Sequence, residues 1–405
     1  MVAKYVGSLT NEIRTDRRLQ LYGIALCLVH LLTAIFWRYT LAQRLADPFP
    51  ICWPFFSNCE ILHGWPIYIG KTALFAYAVT SVIAGLCFWR SRVANAWLLL
   101  LLLTLVKYIF LLTDYRFMGN YHYMPFLVTL VYLFFPSKAW ACAVLTTLFY
   151  LAAGFLKFNT EWLSGASVGD APSFIPRPLF ELSCAYVVLL ETVFVWLLWS
   201  KRAWLRVLGM GQLVLFHAVS WYWVGFFYPC VMTCLLSIFP IYWLWPKTSD
   251  QLAPNNPFWP KGLRTLNSST ISALVIFIAC QIPTHINSSD SALDGNLRLL
   301  GLNMFDARTI CMVSLNLHYS QDGVSKTVEY IPNLHTAIRT HCDPIVFEAE
   351  AHNICRDQQG IEEFQDLDLL LTAKRTTDEG FYSLRNIHNF CAQSQLISAS
   401  RGQGK

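Results

Sequence analysis

At 405 residues, 55% hydrophobic and only 14% charged, the chain carries too little charge for a soluble domain of its length and has a membrane-protein composition. Its net charge of +5 is modest, and no basic run, zinc-ligand spacing or RNA-binding signature accompanies it, which argues against nucleic acid as a partner.

In chain order, NEIRTDRRLQ leads directly into the first apolar segment, which reads as a retained start helix rather than a cleaved signal peptide. A bilayer span takes about 20 mostly apolar residues. Candidates lie near 20–37, 72–89, 95–113, 123–136, 138–156, 182–199, 205–226, 228–245 and 269–284. The fourth is short and the seventh carries polar groups, so the expected fold is an all-α polytopic bundle of eight or nine transmembrane helices. Nine alternating spans place Lys4, Arg14, Arg17 and Arg18, then Arg90 and Arg92, Lys138, Lys201, Arg202 and Arg206, and finally Lys247, Lys261 and Arg264 on one side. Short loops rich in Lys and Arg face the cytoplasm, so the N-terminus is expected inside. The loops at 38–71, 114–122 and 157–181 and everything beyond about 285 are then expected outside. PKTSDQLAPNNPFWPKG, between the last two spans, reads as an irregular cytoplasmic loop.

The chain thus divides into a membrane domain, 1–285, and a small extracytoplasmic α+β domain, 286–405. In the latter, Thr309, Cys311, Val313, Leu315, Leu317 and Tyr319 alternate with a second face and predict a strand. QDG at 321–323 predicts a hairpin turn into VSKTVEYI, a helix is expected over roughly 333–356, and DLDLLLTAKR at 366–375 predicts another strand. Of thirteen cysteines, seven (27, 87, 142, 184, 230, 234 and 280) fall in apolar spans. Cys52, Cys59, Cys311, Cys342, Cys355 and Cys391 fall on the expected outer side, where disulfides persist, and counting leaves their pairing open.

Ionisable groups within spans are costly and are functional candidates by default. Lys107 sits near a helix end, where a long stem can reach the interface, and is expected to snorkel. Glu191, in VVLLETVFVW, requires a cation partner or its own proton. His217 lies beside Trp221 and Tyr222 in LVLFHAVSWYWVGFF, a segment aromatic enough to wall a cavity for a flat ligand. His122 opens a helix in NYHYMP beside Asn120 and Tyr121, and an interfacial aromatic belt explains the tyrosine but not the Asn and His. Lys157, at the lip of FYLAAGFLKFNTEWLSG, reads either as an interfacial anchor or, facing a dry cavity, as a general base. No metal-ligand spacing is present. GWPIYIGKT at 64–72 has five residues rather than four between its glycines and follows no strand, so it is not a nucleotide-binding loop.

AAGFLKFNTEW, followed after one intervening span by LFHAVSWYWVGFF, resembles the vitamin K-dependent gamma-glutamyl carboxylases and their bacterial relatives, which share a so-called horizontally transferred transmembrane domain. TDRRLQLYGIALCLVHLL resembles the first helix of that family, NYHYMP its Asn-His entrance motif, and GLNMFDARTICMVSLNLHYSQDGVSKTVEYIPN its first lumenal segment. The small-Gly-x-x-Lys-x-x-x-acid-Trp pattern falls on Gly154, Lys157, Glu161 and Trp162. The resemblance implies Lys157 as the base that deprotonates a reduced naphthoquinone, a menaquinol or phylloquinol, which reacts with O2 and ends as an epoxide. His217 is implied as an oxyanion stabiliser or proton donor, and His122 as the histidine nearest the glutamate or CO2. It further implies ligand contacts by Asn120, Tyr121, Trp162, Glu191, Trp221 and Tyr222, and by Met304 and Phe305 in the stretch that replaces the family's Trp-Asp-Met-Met run. A disulfide between Cys52 and Cys355 is implied too; the plainer alternative is a local Cys52–Cys59 bridge. Expected partners are membrane lipid, the lipophilic quinone and a glutamate-containing secreted peptide, and the expected setting is a bacterial inner membrane rather than the endoplasmic reticulum. Two other functions stay open: a quinol epoxidase without carboxylation, and a non-catalytic membrane factor for maturation of, or immunity to, a secreted peptide.

Overall fold

The structure is a computed structural model that describes residues 2–56, 58–169, 173, 175–245, 268–283, 293, 301–302, 308–321, 323–332 and 342–393. The loop at 246–262, the basic residues Lys247, Lys261 and Arg264, and the first part of the helix expected from 333 lie outside the described residues.

Helix α1 (Val2–Thr15) precedes the first span and is absent from the sequence reading, because its mixed composition hides it among loop-like residues. It ends where the Asp16 carboxylate caps α2 (Arg17–Phe36) by accepting from the Arg18 amide at 3.0 Å. A short α3 (Thr40–Ala46) and a long loop lead to α4 (Ile67–Trp89) and α5 (Val93–Thr113). Next come α6 (Asn120–Phe134), α7 (Lys138–Leu156) and the one-turn α8 (Thr160–Leu163). α9 (Arg177–Thr192) runs into a 3-10 turn over Phe194–Trp199, and α10 (Ala203–Val224), α11 (Phe227–Leu236), α12 (Ile238–Leu244) and α13 (Ser268–Gln281) complete the bundle.

Seven of these segments are long and apolar enough to cross a bilayer: α2, α4, α5, α7, α9 with its 3-10 continuation, α10, and α11 with α12. The two other predicted spans are helical but short, α6 having 15 residues and α13 having 14. At 1.5 Å per residue α6 reaches roughly 23 Å, less than a hydrocarbon core of about 30 Å, and α13 is described only from Ser268. α4 turns Phe75, Val79, Val82, Ile83 and Leu86 outward, and α5 turns out Leu98, Leu102, Leu105 and Ile109. Such continuous apolar bands are unsuited to water and fit a lipid surround.

The basic clusters of the described residues gather at one end of the bundle. Arg17 donates to the Phe88 and Trp89 carbonyls at 3.1 and 2.8 Å, and Glu12 caps α7 by accepting from the Ser137 and Lys138 amides at 2.8 and 3.0 Å. The other end carries an antiparallel sheet of order β2-β1-β3-β4, with β1 Thr309–Gln321, β2 Val324–Tyr330, β3 Phe364–Arg375 and β4 Tyr382–Ile387. Strand alternation turns Leu315, Leu317, Leu367, Leu369 and Leu371 to one face, where Phe347, Ala351 and Cys355 of α14 (Pro344–Asp357) pack on them. The β1–β2 hairpin and β3 match the expected strands; β4, short and polar, has no strong alternation to reveal it.

The sheet domain is anchored to the bundle at three places. Tyr115 donates to Asp343 at 2.7 Å above a small core of Ile51, Trp53, Met118 and Val346. Arg356 pairs with Glu60 at 2.7 Å. Glu161, fully buried, accepts from Thr376 Oγ1, Thr377 N and Thr377 Oγ1 at 2.7, 2.7 and 2.5 Å.

The implied Cys52–Cys355 bridge is corrected. Cys52 bonds to Cys59, with Cα atoms 5.3 Å apart, and Cys355 bonds to Cys391 at 5.6 Å, while Cys311 pairs with Cys342. Both separations fall in the range a disulfide needs, and Cys355 faces the sheet core rather than the first outer loop. The seven cysteines of the apolar spans are free thiols.

Candidate active site

Lys157 closes α7, its amide donating to the Ala153 and Gly154 carbonyls, so its ammonium lies at the helix end where a cation is favoured. One turn earlier, Gly154 lets α7 approach α9. A Cβ at that position would meet Thr192 Cγ2 at 2.7 Å and Glu191 Cβ at 3.0 Å. This close approach delivers Lys157 Nζ to Glu191 Oε2 at 2.5 Å, with the two side chains 3% and 0% exposed. The anchor reading of Lys157 therefore fails in its simple form: the side chain turns into the bundle rather than out to headgroups. Glu191 sits at the end of α9, just before the backbone tightens into the 3-10 turn, and its Oε1 has no hydrogen-bond partner among the described residues.

Trp162 covers the pair. Its ring lies 5.1 Å from Lys157 Nζ, and its indole N–H donates to the Cys184 carbonyl at 2.8 Å. Asn159 fixes this turn from both sides, accepting from the Trp162 amide and donating to the Leu156 carbonyl, each at 2.8 Å.

Lys157 and Trp162 line a cavity of about 690 Å³ between the bundle and the first strand of the sheet domain. Phe180, Cys184 and Val187 of α9 form one wall and Phe216, Val219 and Trp223 of α10 the other, while Arg308, Thr309 and Ile310 form the outer rim. A volume of this size with largely apolar walls and few polar groups is the usual form of a small-molecule site.

His217 stands behind the α10 wall rather than on it. It is 1% exposed, its Nε2 shares a 2.5 Å hydrogen bond with the Tyr150 hydroxyl, and its ring meets Tyr228 edge-on at 5.6 Å. Tyr228 itself lines the cavity, so one aromatic layer separates the imidazole from it. Trp221 and Tyr222 do not line it: they are 53% and 77% exposed, and Trp223 takes the wall position. Helical spacing explains the change, since 216, 219, 220 and 223 share one face of α10 while 221 and 222 turn away.

The entrance group gathers elsewhere. His122, 2% exposed, packs between Trp37 at 4.8 Å, Tyr121 at 4.7 Å and Phe227 at 5.4 Å, with Asn120 buried in the same helical turn. None of Asn120, Tyr121 and His122 is among the described residues lining the Lys157 cavity. This second polar group has Lys107 as a neighbour, and its His30 Nδ1 shares a 2.5 Å bond with the Tyr77 hydroxyl. The snorkelling expectation for Lys107 is corrected: it is 3% exposed on the inner face of α5, with Leu100, Leu103 and Thr104. Met304 and Phe305 lie outside the described residues.

Compared with protein families, curated proteins and solved structures, the chain matches none.

Sequence reasoning missed Tyr150, Ser167 and Arg308, and read Trp223 only as part of the aromatic run around His217. Tyr150 was findable, because 150, 154 and 157 follow helical spacing and place it on the same face of α7 as Lys157. Ser167 and Arg308 carry no periodic signal, and only the fold brings them to the cavity. Among the described residues, no group of three or more His, Cys, Asp or Glu is arranged to hold a metal.

Proposed function

We propose that this chain is an integral membrane enzyme that oxidises a reduced naphthoquinone, a menaquinol or phylloquinol, with dioxygen at the cavity beside Lys157, and couples this to carboxylation of a peptidyl glutamate with CO2. The carrying observation is a lysine 3% exposed, matched by one fully buried carboxylate, in the wall of an apolar cavity of about 690 Å³. The resemblance around Gly154, Lys157, Glu161 and Trp162 supports the same reading.

The quinol supplies the reducing equivalents and, with dioxygen, yields the epoxide and the strong base that glutamate carboxylation needs. The protein's part is proton handling and exclusion of water. Lys157 Nζ donates to Glu191 Oε2 at 2.5 Å, so the carboxylate is placed to take a proton from the amine. When that proton resides on Oε2, the amine is free to accept the quinol hydroxyl proton, as a general base requires. Trp162 and the α9 and α10 walls keep the reacting face dry, which strengthens every charge interaction within it. Tyr150 and His217, joined by their own hydrogen bond, form a polar pair behind Tyr228.

The basic end of the bundle is assigned to the cytoplasm and the sheet domain to a periplasm or lumen. The charge rule supports this, as does the confinement of the three disulfides to the sheet-domain end. A bacterial inner membrane remains the favoured setting. The test is quinol-dependent oxygen uptake and epoxide formation by purified protein in nanodiscs, for wild type and Lys157→Ala. Uptake by wild type alone supports the assignment; equal uptake by both removes Lys157 from catalysis. A mass gain on an added glutamate-containing peptide separates the carboxylase from an epoxidase that carboxylates nothing.

A further inference from the structure

The rim of the cavity carries a second, unassigned group of polar residues. Arg308 precedes β1, and its backbone is held in place: its carbonyl accepts from the Thr376 amide at 3.1 Å, and Thr376 with Thr377 is clasped by the buried Glu161. Its guanidinium lies against Gly169. That residue has φ +103°, and a Cβ there would stand 2.9 Å from Arg308 Nη1, so any other residue would be strained and would displace the group. Two residues earlier in the same loop, Ser167 also lines the cavity; it is 6% exposed and its hydroxyl has no hydrogen-bond partner among the described residues.

Buried hydroxyls are rarely left unsatisfied, and Ser167 therefore points to a ligand group. Arg308 makes no ion pair among the described residues, whereas the cavity's other cation, Lys157, is already matched by Glu191. Among the described residues, the rim thus offers one positive charge without an acidic partner and one hydroxyl beside apolar walls. We infer that Arg308 and Ser167 form a subsite for the carboxylate of an amphipathic acid whose apolar part lies in the cavity. A planar guanidinium grips a carboxylate through two parallel hydrogen bonds, and a single cation suits a monoanion better than a phosphate dianion. The inference rests on the proposed function only in taking this cavity as the substrate site, and its residues are specificity determinants rather than the proton-transfer pair.

The test uses the full chain in phosphatidylcholine nanodiscs and two fluorescent probes, N-dansyl-glutamic acid α-amide and its glutamine counterpart, which differ by the side-chain charge. The glutamate probe is expected to bind at least about tenfold more tightly, the range of charge-assisted hydrogen bonds. Arg308→Gln removes that preference while leaving the glutamine probe unaffected, Arg308→Lys restores part of it, and Ser167→Ala weakens it severalfold. Oleate competing with the glutamate probe assigns the acid to the bilayer, and the absence of competition assigns it to the outer aqueous side; both keep a carboxylate at the rim. Equal binding of the two probes, a preference that survives Arg308→Gln, or its loss when phosphatidylglycerol replaces phosphatidylcholine each overturns the inference. The last outcome makes the rim a lipid-headgroup contact. A probe preference without any quinol oxidation leaves the subsite standing while the proposed function falls, and quinol oxidation without a preference does the reverse.

Discussion

Three lysines lie buried among the described residues: Lys138 donates its ammonium protons to the Leu133 and Phe135 carbonyls at the start of α7, whereas Lys157 and Lys107, each 3% exposed, have surroundings that differ in kind. Lys157 ends α7, touches a carboxylate and faces a cavity. Lys107 lies among apolar residues of α5, has histidines as its polar neighbours, and pairs with no carboxylate among the described residues. A buried charge is tolerated when compensated, and it becomes chemically useful when a ligand can also reach it. By that standard Lys157 suits the proton transfer proposed for it, and Lys107 belongs to the packing of α2, α4, α5 and α6.

The largest expected effect is at Lys157. Lys157→Met should lower quinol oxidation by about 10²–10⁴-fold, the range for a lost general base. It should also destabilise the protein by about 3–5 kcal/mol, because Glu191 is left buried and unpaired. Adding Glu191→Leu should restore thermal stability without restoring activity, which separates folding from catalysis in one melting series. Lys107→Met should leave activity within a few-fold of wild type and stability equal or higher; a loss of activity comparable to that of Lys157→Met would erase the distinction between the two lysines.

The next effect concerns the approach of α7 to α9. Gly154→Ala drives a methyl into Thr192 and Glu191 and should cost about 1–3 kcal/mol while lengthening the Lys157–Glu191 contact. Gly85→Ala, whose new methyl finds its nearest neighbour at 3.8 Å, should be close to neutral and serves as the control. The disulfide pattern sharpens the contrast between bundle and sheet domain. Cys391→Ser should destabilise the sheet domain by about 2–4 kcal/mol. Non-reducing peptide maps should link Cys52 to Cys59; a Cys52–Cys355 fragment would contradict this structure.

The smallest effect lies on the sheet domain. Burial pushes the Asp368 carboxyl up, but hydrogen bonds from the Asn389 amide, His388 and His318 outweigh it and hold the group below its ordinary range. A depressed carboxyl stabilises above its unfolded value near 4 and loses that contribution as pH falls through the folded value. Asp368→Asn should therefore destabilise by less than about 1 kcal/mol at neutral pH, with the difference vanishing at strongly acidic pH in thermal melts.

Much of this was legible in the residues. Spans of 18 or more mostly apolar residues, the strand alternation from Thr309 and the isolated charges at Lys157, Glu191 and Lys107 announce themselves by composition and period. Features that depend on three-dimensional approach did not. Nothing in the sequence says that Gly154 faces Thr192, that Glu161 clasps Thr376 and Thr377, or that Arg308 reaches the rim of a membrane cavity. The resemblance implied roles for His122 and His217 in one reaction, yet they pack in different groups. Trp221 and Tyr222 misled for a simpler reason: aromatic density in a helix does not say which face points inward, and a lipid-facing surface tolerates Trp and Tyr as readily as a cavity does.

Photolabelling with an azido-naphthoquinone, followed by peptide mass mapping, addresses the contrast between the two buried groups most directly. The account predicts label on Trp162, Cys184, Val187 or Trp223, diminished by excess reduced menaquinone. Label concentrated on Trp37, Tyr121 and His122 instead would place the ligand at the other group and contradict the assignment of Lys157 as its base.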